Sequence, residues 1–487
     1  MIDLTVSGEA LGRAVRCARE RNIVIPTLAQ MRDPGLVPEP IRRELRGTGL
    51  WELSPCNLFR INWKNEPVAA GGGFGAVNTL EFPSRLTGVD ARIVALIGKW
   101  FPTGTHKVGA AFGCMVPSLV TGHFDPTSHR AVWPSTGNFC RGGAYDSALL
   151  GCESVAVLPE HMSRERFEWL AGISGEVIRT PGCESNVKEV FDRCRELRRT
   201  NPEVIVFNQF ENPGNYLWHF SVTGPAMAEV LERKAGAHGS YCGLVLSSGS
   251  AGTLAAGDYL KQAFPGSRVA VSEAWQCPTL LENGFGGHRI EGIGDKHVPW
   301  IHNVKNTDMV IGVDDESVVQ VARLFNEPAG QAFLAGSGIG NDTVSRLGLL
   351  GFSGICNLIA AVKFSRYFEL GSRDMVLTVL TDSMELYQSR LAEMRAVCGD
   401  FTEGDAIAVA AQHLRGITTD HMQELTYPDR RRIHNLKYFT WVEQQGRTAE
   451  ALTAQWCDPE YWTRIQKQAT EVDALIEEFN LRVRSGQ

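Results

Sequence analysis

Gly243-Leu-Val-Leu-Ser-Ser-Gly-Ser-Ala-Gly-Thr253 is the stretch on which the fold depends. A short apolar run enters a loop of small residues, and the loop opens a helical segment, Leu254 to Ala263. Small residues let backbone amides approach an anion closely, and a helix N-terminus adds aligned N–H donors and partial positive charge. Ser250 and Thr253 contribute hydroxyls. The loop lacks the Gly-x-Gly-x-x-Gly of dinucleotide sites and the Gly-Lys-Ser/Thr of nucleotide-hydrolysing loops. A phosphate monoester is the better fit. A tight strand-to-helix turn without a ligand is the other reading of this segment alone.

Outward from this loop, strands and helices alternate. Ala91–Ile97, Arg130–Trp133, Ser154–Leu158, Gly175–Arg179, Val204–Phe207, Ser267–Ser272 and Met375–Leu380 are short apolar runs. Helical segments separate them, one from about Glu184 to Thr200. This spacing predicts an α/β fold with parallel sheets covered by helices on both faces. Before it, residues 1 to about 50 are polar and charge-rich, with a helix near Glu9–Arg21 and a Pro-rich connector from Pro34 to Pro40. Gly71, Gly72, Gly73 and Gly75 read as a loop, because no lysine or helix start follows directly. After about residue 390 the pattern is helical, with an N-cap signal at Asp458-Pro-Glu460. The expected division is an N-terminal extension over 1–75, a core over 76–390 and a helical C-terminal extension over 391–487.

Three further segments carry chemistry. Phe101-Pro-Thr-Gly-Thr-His-Lys-Val-Gly-Ala-Ala111 presents Lys107 after a Gly-Thr turn, where an isolated lysine is ordinarily a solvated charge. Ser135-Thr-Gly-Asn-Phe139 follows a strand, and its Gly137 allows the backbone to turn N–H groups toward a carboxylate. As a bare string it reads equally well as a helix cap. Gly351-Phe-Ser-Gly354 adds a hydroxyl. In this fixed order the segments supply an amine, an amide loop, a phosphate cradle and a hydroxyl, the set needed to hold and use pyridoxal phosphate.

The bulk numbers exclude little but agree with this. The chain has 487 residues, 43% hydrophobic and 21% charged, with a net charge of −7, which gives no electrostatic argument for nucleic acid or an anionic membrane. The longest apolar candidate, Leu349 to Val362, is too short to span a bilayer, and the start lacks the pattern of a secretory signal. The 12 cysteines form no Cys-x-x-Cys and the 12 histidines no His-x-x-x-His, which points to reduced thiols, a cytoplasmic protein and no metal site.

The segments resemble the fold type II pyridoxal-phosphate family, above all its cysteine synthase and cystathionine β-synthase branch. Thr136-Gly-Asn-Phe139, Gln209-Phe-Glu-Asn-Pro213, Thr223-Gly-Pro225, Gly249-Ser-Ala-Gly-Thr253, Ile290-Glu-Gly-Ile-Gly294 and Phe352-Ser-Gly354 follow the family order, and Leu380-Thr-Asp-Ser383 echoes its final strand. The resemblance covers roughly residues 75 to 390 and implies a two-lobed, tryptophan synthase β-like fold. The smaller lobe would occupy approximately 125–225, and the cofactor the cleft between the lobes.

It further implies that Lys107 forms the Schiff base and acts as acid or base at the substrate α-carbon. Asn138 would meet the ring hydroxyl, Ser353 the pyridine nitrogen, and Gly249, Ser250, Ala251, Gly252 and Thr253 the phosphate. Ser135, Thr136, Gly137 and Gln209 would bind the amino-acid carboxylate. The implied chemistry is β-replacement or β-elimination on a serine- or cysteine-like amino acid through an aminoacrylate, in a homodimer. Two departures stand out. Gly104-Thr-His-Lys107 is closer to the Gly-Ala-His-Lys of tryptophan synthase β, so His106 is a candidate phosphate contact or a packed histidine. Phe139 stands at the substrate loop where a threonine is usual, removing a hydroxyl donor and arguing against acetylserine. A deaminase or desulfhydrase, a tryptophan synthase-like activity and a non-catalytic subunit are the alternatives.

Overall fold

Runs of apolar residues long enough to be buried on both faces form the centres of two sheets. The computed structural model describes residues 1–236, 239–294 and 296–485. Its strands are β1 (Thr79–Phe82), β2 (Arg92–Ile97), β3 (Arg130–Pro134), β4 (Ser154–Pro159), β5 (Glu176–Thr180), β6 (Val204–Val206), β7 (Ser240–Ser247), β8 (Arg268–Ala274), β9 (Met309–Val313), β10 (Asp374–Leu380) and β11 (Met422–Glu424). The larger sheet runs β1-β2-β10-β7-β8-β9-β11, and the smaller runs β5-β4-β3-β6. β2, β10, β7, β8 and β9 are parallel, while β1 and β11 close the two edges antiparallel. The smaller sheet is parallel throughout. Ile93 to Leu96 of β2 and Val155 to Leu158 of β4 have no exposed surface, as strands covered on both faces require.

The smaller sheet is built from chain lying between β2 and β7, so the polypeptide leaves the larger sheet and returns to it. On return β10 inserts between β2 and β7. Loops leaving the carboxyl ends of neighbouring parallel strands make the usual crevice of such folds. Here the segments after β2, β7 and β10 meet the loop after β3 of the smaller lobe. The helix after β2, Lys107–Thr121, is buried nearly all round. It approaches helix Pro213–Trp218 so closely that a Cβ on Gly113 would lie 2.3 Å from the carbonyl oxygen of Gly214.

The terminal segments are laced together. Asn480, on the long helix Tyr461–Ser485, accepts from the Ile25 amide at 3.0 Å and donates to the Ile25 carbonyl at 2.8 Å. Asp473 accepts from the amides of Leu28 and Ala29 at 2.6 and 3.1 Å. The C-terminal segment is not purely helical: it supplies β11, which covers the open edge of β9. Met-Gln-Glu carries no apolar alternation, which hides this strand from a pattern reading. The helix expected from about Glu184 begins at Val187, after the turn at Cys183–Asn186.

Candidate active site

Lys107 opens its helix, and its Nζ donates to Ser250 Oγ at 2.9 Å and to Gln209 Oε1 at 3.0 Å. Gln209 Nε2 donates to Ser135 Oγ at 3.2 Å, and the same hydroxyl accepts from the Gly137 amide at 3.2 Å. The lysine loop, the cradle after β7 and the loop after β3 thus meet through polar contacts between segments of both sheets. His106, Lys107, Ser135, Thr136, Asn138, Phe139, Gln209, Gly249, Ser250, Ala251 and Thr253 line one cavity. Ser353 is buried in the first turn of helix Phe352–Tyr367 and does not line it. Asn357, one turn on, does. It accepts from Ser247 Oγ at 2.5 Å and donates to the Val379 carbonyl at 2.8 Å.

The cradle has the geometry of an anion site. Ala251 holds a φ of +62°, a left-handed conformation that costs a residue with a Cβ roughly 1–2 kcal/mol. Such strain persists where the surroundings impose it, commonly at ligand sites. The bend aims the loop at the start of helix Leu254–Ala263, whose N-terminus favours negative charge. Asn215 braces the loop by donating to Ser250 Oγ at 3.1 Å and to the Gln209 carbonyl at 2.9 Å.

His106 lies with Trp63 at 5.6 Å and His219 at 5.2 Å between ring centroids. Burial, with a smaller contribution from the Lys107 charge, pushes its pKa down to about 3, so the imidazole is neutral. Neither of its ring nitrogens has a protein partner, and neither has Asn138 Oδ1. Buried polar atoms are rarely left so unless a ligand or water meets them. Phe139 lines the cavity and packs edge-on to Trp133 at 5.4 Å.

A phosphate-sized cradle, a lysine amine beside it and buried donors and acceptors around the lysine fit pyridoxal phosphate by the chemistry of the donor set. The family profile described as "Pyridoxal-phosphate dependent enzyme" matches residues 91–341. The chain belongs to this family of enzymes. Among relatives of the pyridoxal-phosphate enzyme, the Bacillus subtilis protein named "Probable cysteine synthase" is 30% identical over 223 residues, 46% of this chain and 70% of that one. The cysteine synthase of Staphylococcus aureus is 28% identical over 289 residues, 59% of this chain and 84% of that one. The fold matches the O-acetylserine-dependent cystathionine β-synthase of Helicobacter pylori with a TM-score of 0.53, at 24% identity, over 64% of this chain and 94% of that one. The enzyme is therefore cysteine synthase-like and fold type II, and pyridoxal phosphate is its cofactor.

Several residues of the site lie outside any motif read from the sequence. Trp63 comes from the N-terminal extension and packs on both Phe101 and His106. Trp441, from the C-terminal extension, stands 5.7 Å from His297, which is 4.9 Å from the cavity-lining Phe210. Lone tryptophans far from the glycine loops give no local signal of this. Among the described residues no group of His, Cys, Asp or Glu is arranged to hold a metal, and no helix is long and apolar enough to cross a membrane.

Proposed function

We propose that the enzyme catalyses β-replacement or β-elimination on a serine- or cysteine-like amino acid. The observation that carries this reading is the position of Lys107 Nζ between Ser250 of the cradle and Gln209 of the facing loop. When bound, pyridoxal phosphate supplies an aldehyde for the amino group and a ring that draws electron density from the substrate α-carbon. Lys107 moves the proton at that carbon. Gly249 to Thr253 hold the phosphate, with the neutral His106 able to add one N–H. Ser135, Thr136, Gly137 and Gln209 bind the substrate carboxylate and orient the amino acid over Lys107. Asn138 meets the ring hydroxyl; on helix Phe352–Tyr367 the side chain that lines the cavity is Asn357 rather than Ser353.

The relatives named above support cysteine synthase-like chemistry. Phe139 leaves the substrate loop without a hydroxyl donor at one position, which supports a leaving group other than acetate. We extend the reading to a homodimer, as the family resemblance implies, and to a reducing cytoplasm, which the unpaired cysteines support. The test is product analysis of the loaded enzyme with L-serine, O-acetyl-L-serine, O-phospho-L-serine and L-cysteine, each with and without sulfide. A new β-substituted amino acid formed only with sulfide establishes replacement; pyruvate and ammonia in both arms establish elimination. No turnover of any of the four removes the proposal.

A further inference from the structure

Behind the cavity a line of buried polar groups crosses between the lobes. Arg166, on helix Arg164–Ala171 of the smaller lobe, has no exposed surface. Its Nη1 donates to the Thr136 carbonyl at 3.0 Å and lies 2.6 Å from Glu291 Oε2. Its Nη2 donates to Tyr387 Oη at 2.7 Å. The Tyr387 hydroxyl then donates to Asp382 Oδ2 at 2.6 Å, and the same oxygen accepts from Asn138 Nδ2 at 2.6 Å. A Cβ on Gly351 would lie 1.9 Å from Asp382 Oδ1, so only glycine admits the carboxylate against the start of helix Phe352–Tyr367. The positive end of that helix favours an anion there.

A carboxylate oxygen accepts and does not donate, so Asp382 selects the NH₂ side of the Asn138 amide. That leaves Asn138 Oδ1, buried and without a protein partner, together with the second N–H, for whatever occupies the cavity. We propose that Asp382 is a positioning residue: held by Tyr387 and Arg166, it fixes the Asn138 amide in the one orientation that engages the cofactor ring. The inference rests on the proposed function, because it takes Asn138 as the residue facing the ring. It also gives Arg166 a part in the site, since the same guanidinium holds the carbonyl of Thr136 in the substrate loop.

The test is a double-mutant cycle on cofactor affinity, read by titrating the apoprotein with pyridoxal phosphate. Asp382→Asn replaces the acceptor with an amide that tolerates either orientation of Asn138, and binding should weaken about tenfold, as for loss of one charge-assisted hydrogen bond. In an Asn138→Ala background the same change should have an effect of less than about twofold, because the residue it acts through is gone. Tyr387→Phe removes one of the two donors to Asp382 and leaves its charge. It should weaken binding about threefold and be silent in the same background, so the inference stays testable if Asp382→Asn does not fold. Equal losses with and without Asn138, or no loss at all, overturn the inference while leaving the proposed function intact. A wild-type protein that binds no pyridoxal phosphate overturns both.

Discussion

Lys107 Nζ and Ser250 Oγ are 2.9 Å apart, although 143 residues separate them in the chain. The amine to which we assign the chemistry and the loop to which we assign the phosphate therefore report on each other.

Replacing Lys107 with alanine removes the amine that, among the described residues, lines the cavity. The visible absorbance of cofactor bound at the lysine should vanish, and turnover should fall by about a thousandfold, within the usual range for a positioned acid–base group. Pyridoxal phosphate should still associate through the cradle, so dialysis should remove it faster than from the parent enzyme.

Ser250→Ala keeps the backbone cradle and deletes the hydroxyl that Lys107 and Asn215 both contact. Cofactor affinity should drop about tenfold, with KM for the amino acid little changed. Equilibrium titration of the apoprotein measures this directly.

Trp441 is fully buried, and its indole Nε1 donates to the Val298 carbonyl at 2.8 Å. Trp441→Ala should cost about 3–5 kcal/mol in stability through the cavity it leaves. Because His297 then loses the ring behind it, the wall around Phe210 should loosen and KM should rise. A variant that melts lower but keeps its KM would show the C-terminal extension to be mere support.

His106, His302 and His434 are buried, and burial pushes the pKa of each from 6.5 down to about 3. Unfolded, each takes a proton as pH falls through about 6.5; folded, each resists until about 3, so the unfolded state holds more protons between those values. Their contribution to stability should therefore fall as pH drops below about 6.5. Glu273 opposes this: burial pushes its pKa up to about 7, so its own contribution to stability falls as pH rises from about 4.5 toward 7. Asp146, Asp258 and Asp382, whose carboxyls burial likewise raises, act in the same sense as Glu273, so the histidine contribution is isolated by substitution. His434→Gln, which can still donate to the Leu452 carbonyl, should lower the slope of stability against pH by up to about 1.4 kcal/mol per pH unit. Urea midpoints at pH 7.5 and 5.5 give the comparison.

Most strands with continuous apolar runs were readable from sequence because burial leaves that mark. Met375–Leu380 is one, recovered as β10 over Asp374–Leu380. β9, Met309-Val-Ile-Gly-Val313, is equally buried and was missed, its run being short and broken by a glycine. β1 was missed too, since Thr-Leu-Glu-Phe at an edge alternates over too few residues, and polar β11 exists only through pairing with β9. Lys107, Gln209 and the residues of the cradle were nameable because each sits in a short segment of unusual composition. Asp382, Tyr387 and Arg166 were not, because they act across the lobes, and only the tertiary fold brings Arg166 to a tyrosine 221 positions away.

The place of β10 between β2 and β7 also governs how the protein is made. Strands β3 to β6 are contiguous, so the smaller lobe can complete itself while synthesis continues. The larger sheet cannot, because β2 and β7 keep facing unpaired edges until residues 374–380 leave the ribosome. Open edges of this kind recruit other strands, and slow non-local pairing prolongs the exposure. A translational stall or nonsense change ahead of β10 would thus release a chain with one finished lobe and one sticky half-sheet, a substrate for chaperones rather than for chemistry.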